Sequence, residues 1–172
     1  MTGVEITRGS AEDIARLEPL WVAVHHQHQA AMPELGPYVS DEETWREHRP
    51  IYEELFRRPD TFVFLASDRE RLVGYALGHV TPVEETWIAD TWATGRRIGE
   101  LESISVLPEY RGQGIGSRLM DEVHAEFERL GIEDVVIGLL PGNEGARRLY
   151  ERHGYVPNWL YVSRFRSEGR ES

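Results

Sequence analysis

The chain has 172 residues, of which 40% are hydrophobic and 28% charged, so it is long enough for one globular domain with its own core. It contains no cysteine, and all 19 basic residues are arginine, which excludes a disulfide framework, a thiolate zinc site, a cysteine nucleophile and lysine Schiff-base chemistry. The net charge of -11 at pH 7 argues against a nucleic-acid partner and suits a cationic small molecule.

Neither a membrane span nor a targeting segment is predicted. No apolar run is long enough to cross a bilayer, and residues 1–14 lack the basic-then-apolar order of a signal peptide. We therefore expect a cytoplasmic protein without a membrane partner.

The N-terminal half predicts three strands. Val4–Arg8 is a short strand, and the apolar runs Thr61–Ser67 and Leu72–Val80 flank a charged turn and should form a hairpin. A long connection, Thr81–Arg97, follows the hairpin. Loops of this length inside a compact domain often carry function.

Two helices are predicted between the first strand and the hairpin, each by a capping box. Ser10 and Asp13 have the spacing of such a box, and Ser40 and Glu43 repeat it. Pro50 is expected to interrupt the second helix because proline has no N–H to donate.

The segment GELESISVLP, residues 99–108, alternates in the manner of a half-buried strand. Leu101, Ser103 and Ser105 are expected on one face, and Glu100 and Glu102 on the other. Two carboxylates are therefore predicted to lie together near the start of this strand.

Three glycines, Gly112, Gly114 and Gly116, lie with Arg111 between this strand and a predicted helix. Free N–H groups and the positive end of the helix dipole make such a helix start an anion site, so a phosphorylated ligand is predicted. A tight turn that needs glycine for its own geometry is the alternative. The chain has no P-loop lysine, and Ser117 stands where a dinucleotide fingerprint needs glycine.

Four further elements are predicted after the glycines. They are a helix from Ile115 to Leu130 ended by Gly131, a strand over Ile132–Leu140, a short helix from about Glu144 to His153 closed by Gly154, and a strand over Leu160–Phe165. The domain is expected to cover residues 1–165, followed by a polar tail over residues 166–172.

Two motifs resemble the GCN5-related N-acetyltransferase superfamily. RGQGIG, residues 111–116, follows a strand ending in Val-x-Pro and matches the family's pyrophosphate signature, and NEGARRLYERHGY, residues 143–155, is similar to its second signature. The resemblance covers about Leu101 to Tyr155, and upstream only the order of elements agrees. It implies a single-domain α/β fold with a mixed, splayed β-sheet and helices on both faces.

The resemblance further implies a site for acetyl-CoA and no metal. Backbone groups of Ser105, Val106 and Leu107 would pair with the pantetheine arm, and Asn143 would contact the arm from the other side. The remaining residues of the implied cofactor site are Arg111, Gly112, Gln113, Gly114, Ile115, Gly116 and Ser117 around the pyrophosphate, and Arg147 and Tyr150 on the last helix.

The resemblance also implies catalytic roles. Tyr150 would protonate the leaving thiolate and Glu102 would relay the proton of the amine, with Glu100 on the same face as an alternative. The chemistry needs both groups, because an amine attacks a thioester only when neutral and the thiolate leaves more readily with a proton donor. The plainer alternatives are a solvated strand residue for Glu102, a core residue for Tyr150 and a helix cap for Asn143.

Histidine and aromatic residues upstream carry weaker signals. A metal is not expected at His25, His26 and His28, because no carboxylate completes a ligand set at helical spacing. These histidines are expected to line the acceptor pocket or to lie on the surface. An aromatic wall for a cation, or packing in the core or in a dimer, is predicted for four residues: Tyr38, Trp45, Trp87 and Trp92.

Together these patterns predict an acetyl-CoA-dependent N-acetyltransferase that transfers the acetyl group directly to a small cationic amine, compatible with a homodimer. A non-catalytic acyl-CoA-binding domain and a protein N-acetyltransferase are the alternatives.

Overall fold

The computed structural model describes residues 3–164, which form one five-stranded sheet. Its strands are, in order across the sheet, β1 (Val4–Arg8), β2 (Phe62–Asp68), β3 (Arg71–Pro82), β4 (Arg97–Val106) and β5 (Val135–Ile137). Neighbouring strands are antiparallel from β1 to β4, whereas β5 is parallel to β4. The sheet is therefore mixed, as predicted.

Helices cover both faces of the sheet, which confirms the predicted fold class. They are α1 (Glu18–Ala31), α2 (Asp41–Leu55), α3 (Ile115–Arg129) and α4 (Glu144–Arg152). One core lies under α1 and α2, where Leu20 and Tyr52 meet Leu77, and the other lies under α3, where Leu119 packs near Leu101. The alternation of side chains along β2 and β3 supplies both cores at once.

Both predicted capping boxes are present, but Pro50 does not interrupt its helix. The Ser10–Asp13 box opens a short 3-10 helix that precedes α1, and the Ser40–Glu43 box opens α2. The second helix continues through Pro50, which is exposed. The carbonyl of Arg46, which loses its partner there, lies on an exposed residue and can bond to water, so the helix tolerates the proline.

The strand predicted over residues 132–140 pairs for only three residues. Gly99–Leu101 of β4 pair with Val135–Ile137, after which β4 continues to Val106 without a partner on that side. The two strands therefore separate, as the family resemblance implies, and the backbone of β4 is left open along the gap.

The regular alternation predicted for β4 is wrong at Glu102. Leu77 pairs with Ser103 and Gly78 with Leu101, so Glu102 is an extra residue in a β-bulge. Leu101 consequently faces α3, whereas Ser103 faces α2, where its hydroxyl meets that of Tyr52.

The predicted last strand is absent from the described residues. No regular structure follows α4 between residues 155 and 164. Phe165 and the predicted tail over 166–172 lie outside the described residues. None of the helices within residues 3–164 combines the length and the apolar character that a membrane crossing needs.

Candidate active site

A cleft of about 770 Å³ opens where β4 and β5 separate. Its walls come from β4, from the glycine-rich loop, from the first turn of α3, from α4 and from one side of α1. The predicted site residues that line it are Glu102, Ser105, Val106, Arg111, Gly112, Gly114, Ile115, Gly116, Ser117, Asn143 and Tyr150. The fold thus brings most of the predicted set to one place.

The N-terminus of α3 is open to a ligand. Gly114 is its N-cap residue with φ of 80°, Gly112 has φ of 74°, and a Cβ on either glycine would meet no atom within 4 Å. No side chain caps this helix, whereas Ser40 and Asn143 cap α2 and α4. The first N–H groups of α3 therefore face the cleft as free donors, which is the arrangement that binds phosphate.

Arg111 lines the cleft but is held against its wall. Its Nε donates to the carbonyl of Val106 at 3.0 Å, and its Nη1 donates to Oε1 of Gln27 on α1 at 2.9 Å. The Val106 carbonyl is one of the groups expected to pair with a pantetheine arm. The carbonyl oxygen has two lone pairs, so a ligand would share it with the guanidinium or displace the guanidinium.

Four predicted residues do not line the cleft. Leu107 packs its side chain into the core and donates its N–H to Val73, and Gln113 turns back to the carbonyl of Glu109. Arg147 lies on the outer side of α4, where it pairs with Glu144 at 2.6 Å. The cleft is lined instead by Arg148 and Arg152, one helical turn apart. The fourth residue is Glu100.

Tyr150 of α4 and Asn143, the residue that caps this helix, each have a structural contact and a position at the cleft. Asn143 caps the helix by accepting from the N–H of Ala146 at 3.2 Å, and it also lines the cleft. The ring of Tyr150 is buried in the core, yet the residue forms part of the cleft wall. Burial, and to a lesser extent Tyr155, raises the pKa of Tyr150, so the phenol keeps its proton at neutral pH.

The structure separates the two glutamates of β4. Glu102 lines the cleft and Glu100 does not, although both carboxylates lie beside the buried ring of His79. The Nε2 atom of His79 is 3.6 Å from Oε2 of Glu100 and 3.7 Å from Oε2 of Glu102. One potential ligand atom from each of these three residues lies within 4.8 Å of the other two, so the three are close enough to coordinate one divalent cation.

Sequence reasoning missed His79 and a group of residues on α1 and α2 that lie near Glu102. His48 stacks on Trp21 with ring centroids 3.3 Å apart, and its Nε2 is buried without a hydrogen-bond partner in residues 3–164. Burial lowers the pKa of His48 to about 4. Below them, the hydroxyl of Tyr52 bonds to Tyr75 at 2.7 Å and to Ser103. No local motif marks any of these residues, because they meet only through packing.

The three histidines of α1 have separate positions. His28 lines the cleft, His25 is buried and bonds to the carbonyl of Val39, and His26 pairs with Asp41 at the surface. His26 thus lies on the surface, which is one of the two predicted positions, and His28 lies at the cleft. His25 is a satisfied interior residue, so neither predicted position applies to it.

The four aromatic residues do not form one wall. Trp45 is in the core, and Tyr38 donates its hydroxyl to the carbonyl of Met32. Trp87 and Trp92 are partly exposed and meet Trp159, with ring centroids 5.6 and 6.4 Å away.

Comparison of the sequence and the fold with known proteins identifies the family of this chain. The profile of the Acetyltransferase (GNAT) family matches residues 21–155. The fold resembles that of the solved aminoglycoside N-acetyltransferase AAC(6')-Iy in complex with CoA, with a TM-score of 0.66, 15% identity, and 97% of each chain covered. The chain belongs to the GNAT acetyltransferase family.

Two curated relatives indicate the range of the family. The chain is 30% identical to the mycothiol acetyltransferase of Geodermatophilus obscurus over 85% of its own length, and 40% identical to the thialysine N-epsilon-acetyltransferase of Sus scrofa over 48%. It spans 43% and 44% of these relatives, less than half of each.

Proposed function

We propose that this protein is an acetyl-CoA-dependent N-acetyltransferase whose acceptor is a small cationic amine. The observation that carries the proposal is that Glu102 and Tyr150 line the same cleft as the uncapped N-terminus of α3. A proton acceptor, a proton donor and an anion site thus share one cavity, on different elements of the fold.

The cofactor half of the proposal rests on backbone groups. The free N–H groups of Ile115, Gly116 and Ser117 suit a pyrophosphate, and the unpaired side of β4 from Glu102 to Val106 suits the amide groups of a pantetheine arm. Arg148 and Arg152 supply positive charge along α4. Bound acetyl-CoA brings the thioester, and these groups orient it.

The chemical half assigns one proton transfer to each side chain. Glu102 accepts a proton from the ammonium of the acceptor, and the neutral nitrogen then forms its bond to the thioester carbonyl carbon. The carbon–sulfur bond breaks, and Tyr150 donates its proton to the departing thiolate. The nitrogen loses its second proton to solvent as it becomes a neutral amide, and the tyrosinate regains a proton from solvent. The chain has neither cysteine nor lysine to carry the acetyl group, which favours direct transfer within a ternary complex.

A small amine as acceptor is supported by charge and by the relatives. The net charge of -11 attracts cations, and the relatives include a thialysine N-epsilon-acetyltransferase, whose name specifies an amine. Glu102 is favoured over Glu100 as the base because only Glu102 lines the cleft.

The test is a screen of amines with acetyl-CoA, in which free CoA release is followed for the wild type and for Glu102→Gln. We expect turnover with at least one cationic small amine, and a large loss in the variant. Acetyl-CoA binding without turnover of any amine would instead make the chain an acyl-CoA-binding domain. Turnover of peptides alone would make it a protein N-acetyltransferase.

A further inference from the structure

His79 is a buried histidine of β3 that the proposed reaction does not yet use. It is 5% exposed, and it pairs with Glu100 across the antiparallel ladder. Its Nε2 points at both glutamates, at 3.6 and 3.7 Å, and its Nδ1 lies 3.2 Å from Oγ1 of Thr81, which is also buried.

Two carboxylates this close together oppose each other's ionisation. Burial raises the pKa of Glu100, His79 opposes this rise, and the charge of Glu102 adds to it. The side chains that face the pair from neighbouring elements bring no positive charge at neutral pH. They are Tyr75 on β3 and Tyr52 on α2, whose pKa values are raised, and His48 on α2, whose pKa is lowered.

His79 is therefore the group that can offset this repulsion. No arginine within residues 3–164 forms an ion pair with Glu100 or Glu102, although arginines pair with many other carboxylates of the chain. The Nε2 atom faces two carboxylates, which accept hydrogen bonds but do not donate them when ionised, so Nε2 must carry the hydrogen of the ring. The Nδ1 atom of a neutral ring then accepts from the hydroxyl of Thr81, which fixes this tautomer.

We propose that His79 is a positioning residue of the acceptor site: its Nε2–H faces Glu100 and Glu102, offsets the repulsion between the two carboxylates and keeps the Glu102 carboxylate in place to accept the amine proton. This inference rests on the proposed function. His79 exchanges no proton with substrate. It acts through Glu102, and Glu100 is the second carboxylate that it holds.

The test compares His79→Leu, which removes the donor, with His79→Gln, which keeps an N–H at a similar reach. In the leucine variant we expect the acidic limb of the kcat/KM profile to move up by about one pH unit, because an unshielded carboxylate holds its proton more tightly. Below that limb, kcat/KM should fall by about tenfold for the amine, with unchanged affinity for acetyl-CoA. His79→Gln should restore most of the wild-type profile.

Thr81→Val is the milder variant, since it nearly conserves shape and leaves His79 in place while removing the hydroxyl. It should move the acidic limb in the same direction by a smaller amount. An unmoved limb in both His79→Leu and Thr81→Val would overturn the proposal and make His79 a packing residue. Activity that is lost on dialysis against a chelator and restored by Zn²⁺ would overturn it as well, because the three side chains would then be metal ligands.

A titration of the glutamate side-chain carboxyl carbons by ¹³C NMR separates this inference from the proposed function. Glu100→Gln assigns the signal of Glu100, which should titrate at higher pH in His79→Leu than in the wild type, because His79 opposes the rise in the pKa of Glu100. A wild type without turnover would contradict the proposed function, and the titration would still test His79. Equal titration of Glu100 in both proteins would contradict the role of His79.

Discussion

The two sides of the cleft are built in different ways. The proposed cofactor side consists of backbone groups from one continuous stretch, the end of β4, the glycine-rich loop and the start of α3. The proposed acceptor side uses side chains from distant positions: Trp21 and Glu102 line the cleft, His48 stacks on Trp21, and His79 lies beside Glu102. A backbone site needs particular small residues at fixed spacing and so leaves a motif, whereas a side-chain site depends on packing and leaves none.

The largest expected effect tests whether Tyr150 belongs to the chemistry of the cleft. Tyr150→Phe keeps the ring in the core and removes the hydroxyl, so kcat should fall by roughly 10²-fold or more, with little change in acetyl-CoA affinity. Steady-state kinetics and calorimetric binding measure the two quantities. Tyr155→Phe is the matched control, because its hydroxyl bonds to His124 at 2.9 Å outside the cleft. Near-normal kcat for Tyr150→Phe would make this tyrosine a packing residue.

The two glutamates offer the second test, on the acceptor side. Glu102→Gln should lower kcat/KM by roughly 10²-fold at neutral pH and by less at high pH, where the free amine is already abundant. Glu100→Gln is the matched control, two residues earlier on the same strand. It should have the smaller effect, since Glu100 does not line the cleft. Full rate profiles against pH would check this. A larger loss in Glu100→Gln would reverse the assignment of the base.

The third test concerns the backbone site alone. Gly114→Val places a side chain at the open N-terminus of α3, and the Kd for acetyl-CoA should rise by at least about tenfold as the N–H groups become harder to approach. Gly131→Val is matched for strain, because Gly131 also has positive φ, 70°, with open space at Cβ, but lies beyond the other end of α3. If the two variants bind acetyl-CoA equally well, the loop is only a turn.

The smallest expected effect concerns stability and His48. Its pKa in the folded protein, about 4, is below the usual value near 6.5, so the unfolded chain binds more protons between these limits. Stability should therefore fall as pH decreases from about 6.5 to 4, and His48→Phe, which keeps a stacked ring, should reduce this fall. We expect a gain of a few degrees in Tm at pH 5 and little change at pH 7. Plots of Tm against pH that run parallel for the wild type and His48→Phe would contradict this prediction.

Local sequence determined the elements that need only local interactions. The boxes at Ser10 and Ser40 predict helix starts because the capping bonds lie within four residues. Gly112 and Gly114 adopt positive φ values, a conformation that glycine permits because it has no Cβ. The cap at Asn143 could be predicted for the same reason, since it accepts from the N–H of Ala146 only three residues away.

Tertiary structure decided what depends on pairing between distant segments. The bulge at Glu102 arises from the register of β4 against β3, and it turns Leu101 and Ser103 to opposite faces although they are two residues apart. The strand predicted after Ile132 ends at Ile137, where β5 separates from β4. The apolar sequence continues to Leu140 and does not predict this end. His79 meets the two glutamates across the β3–β4 ladder, and hydrophobic periodicity carries no information on which polar side chains such a ladder brings together.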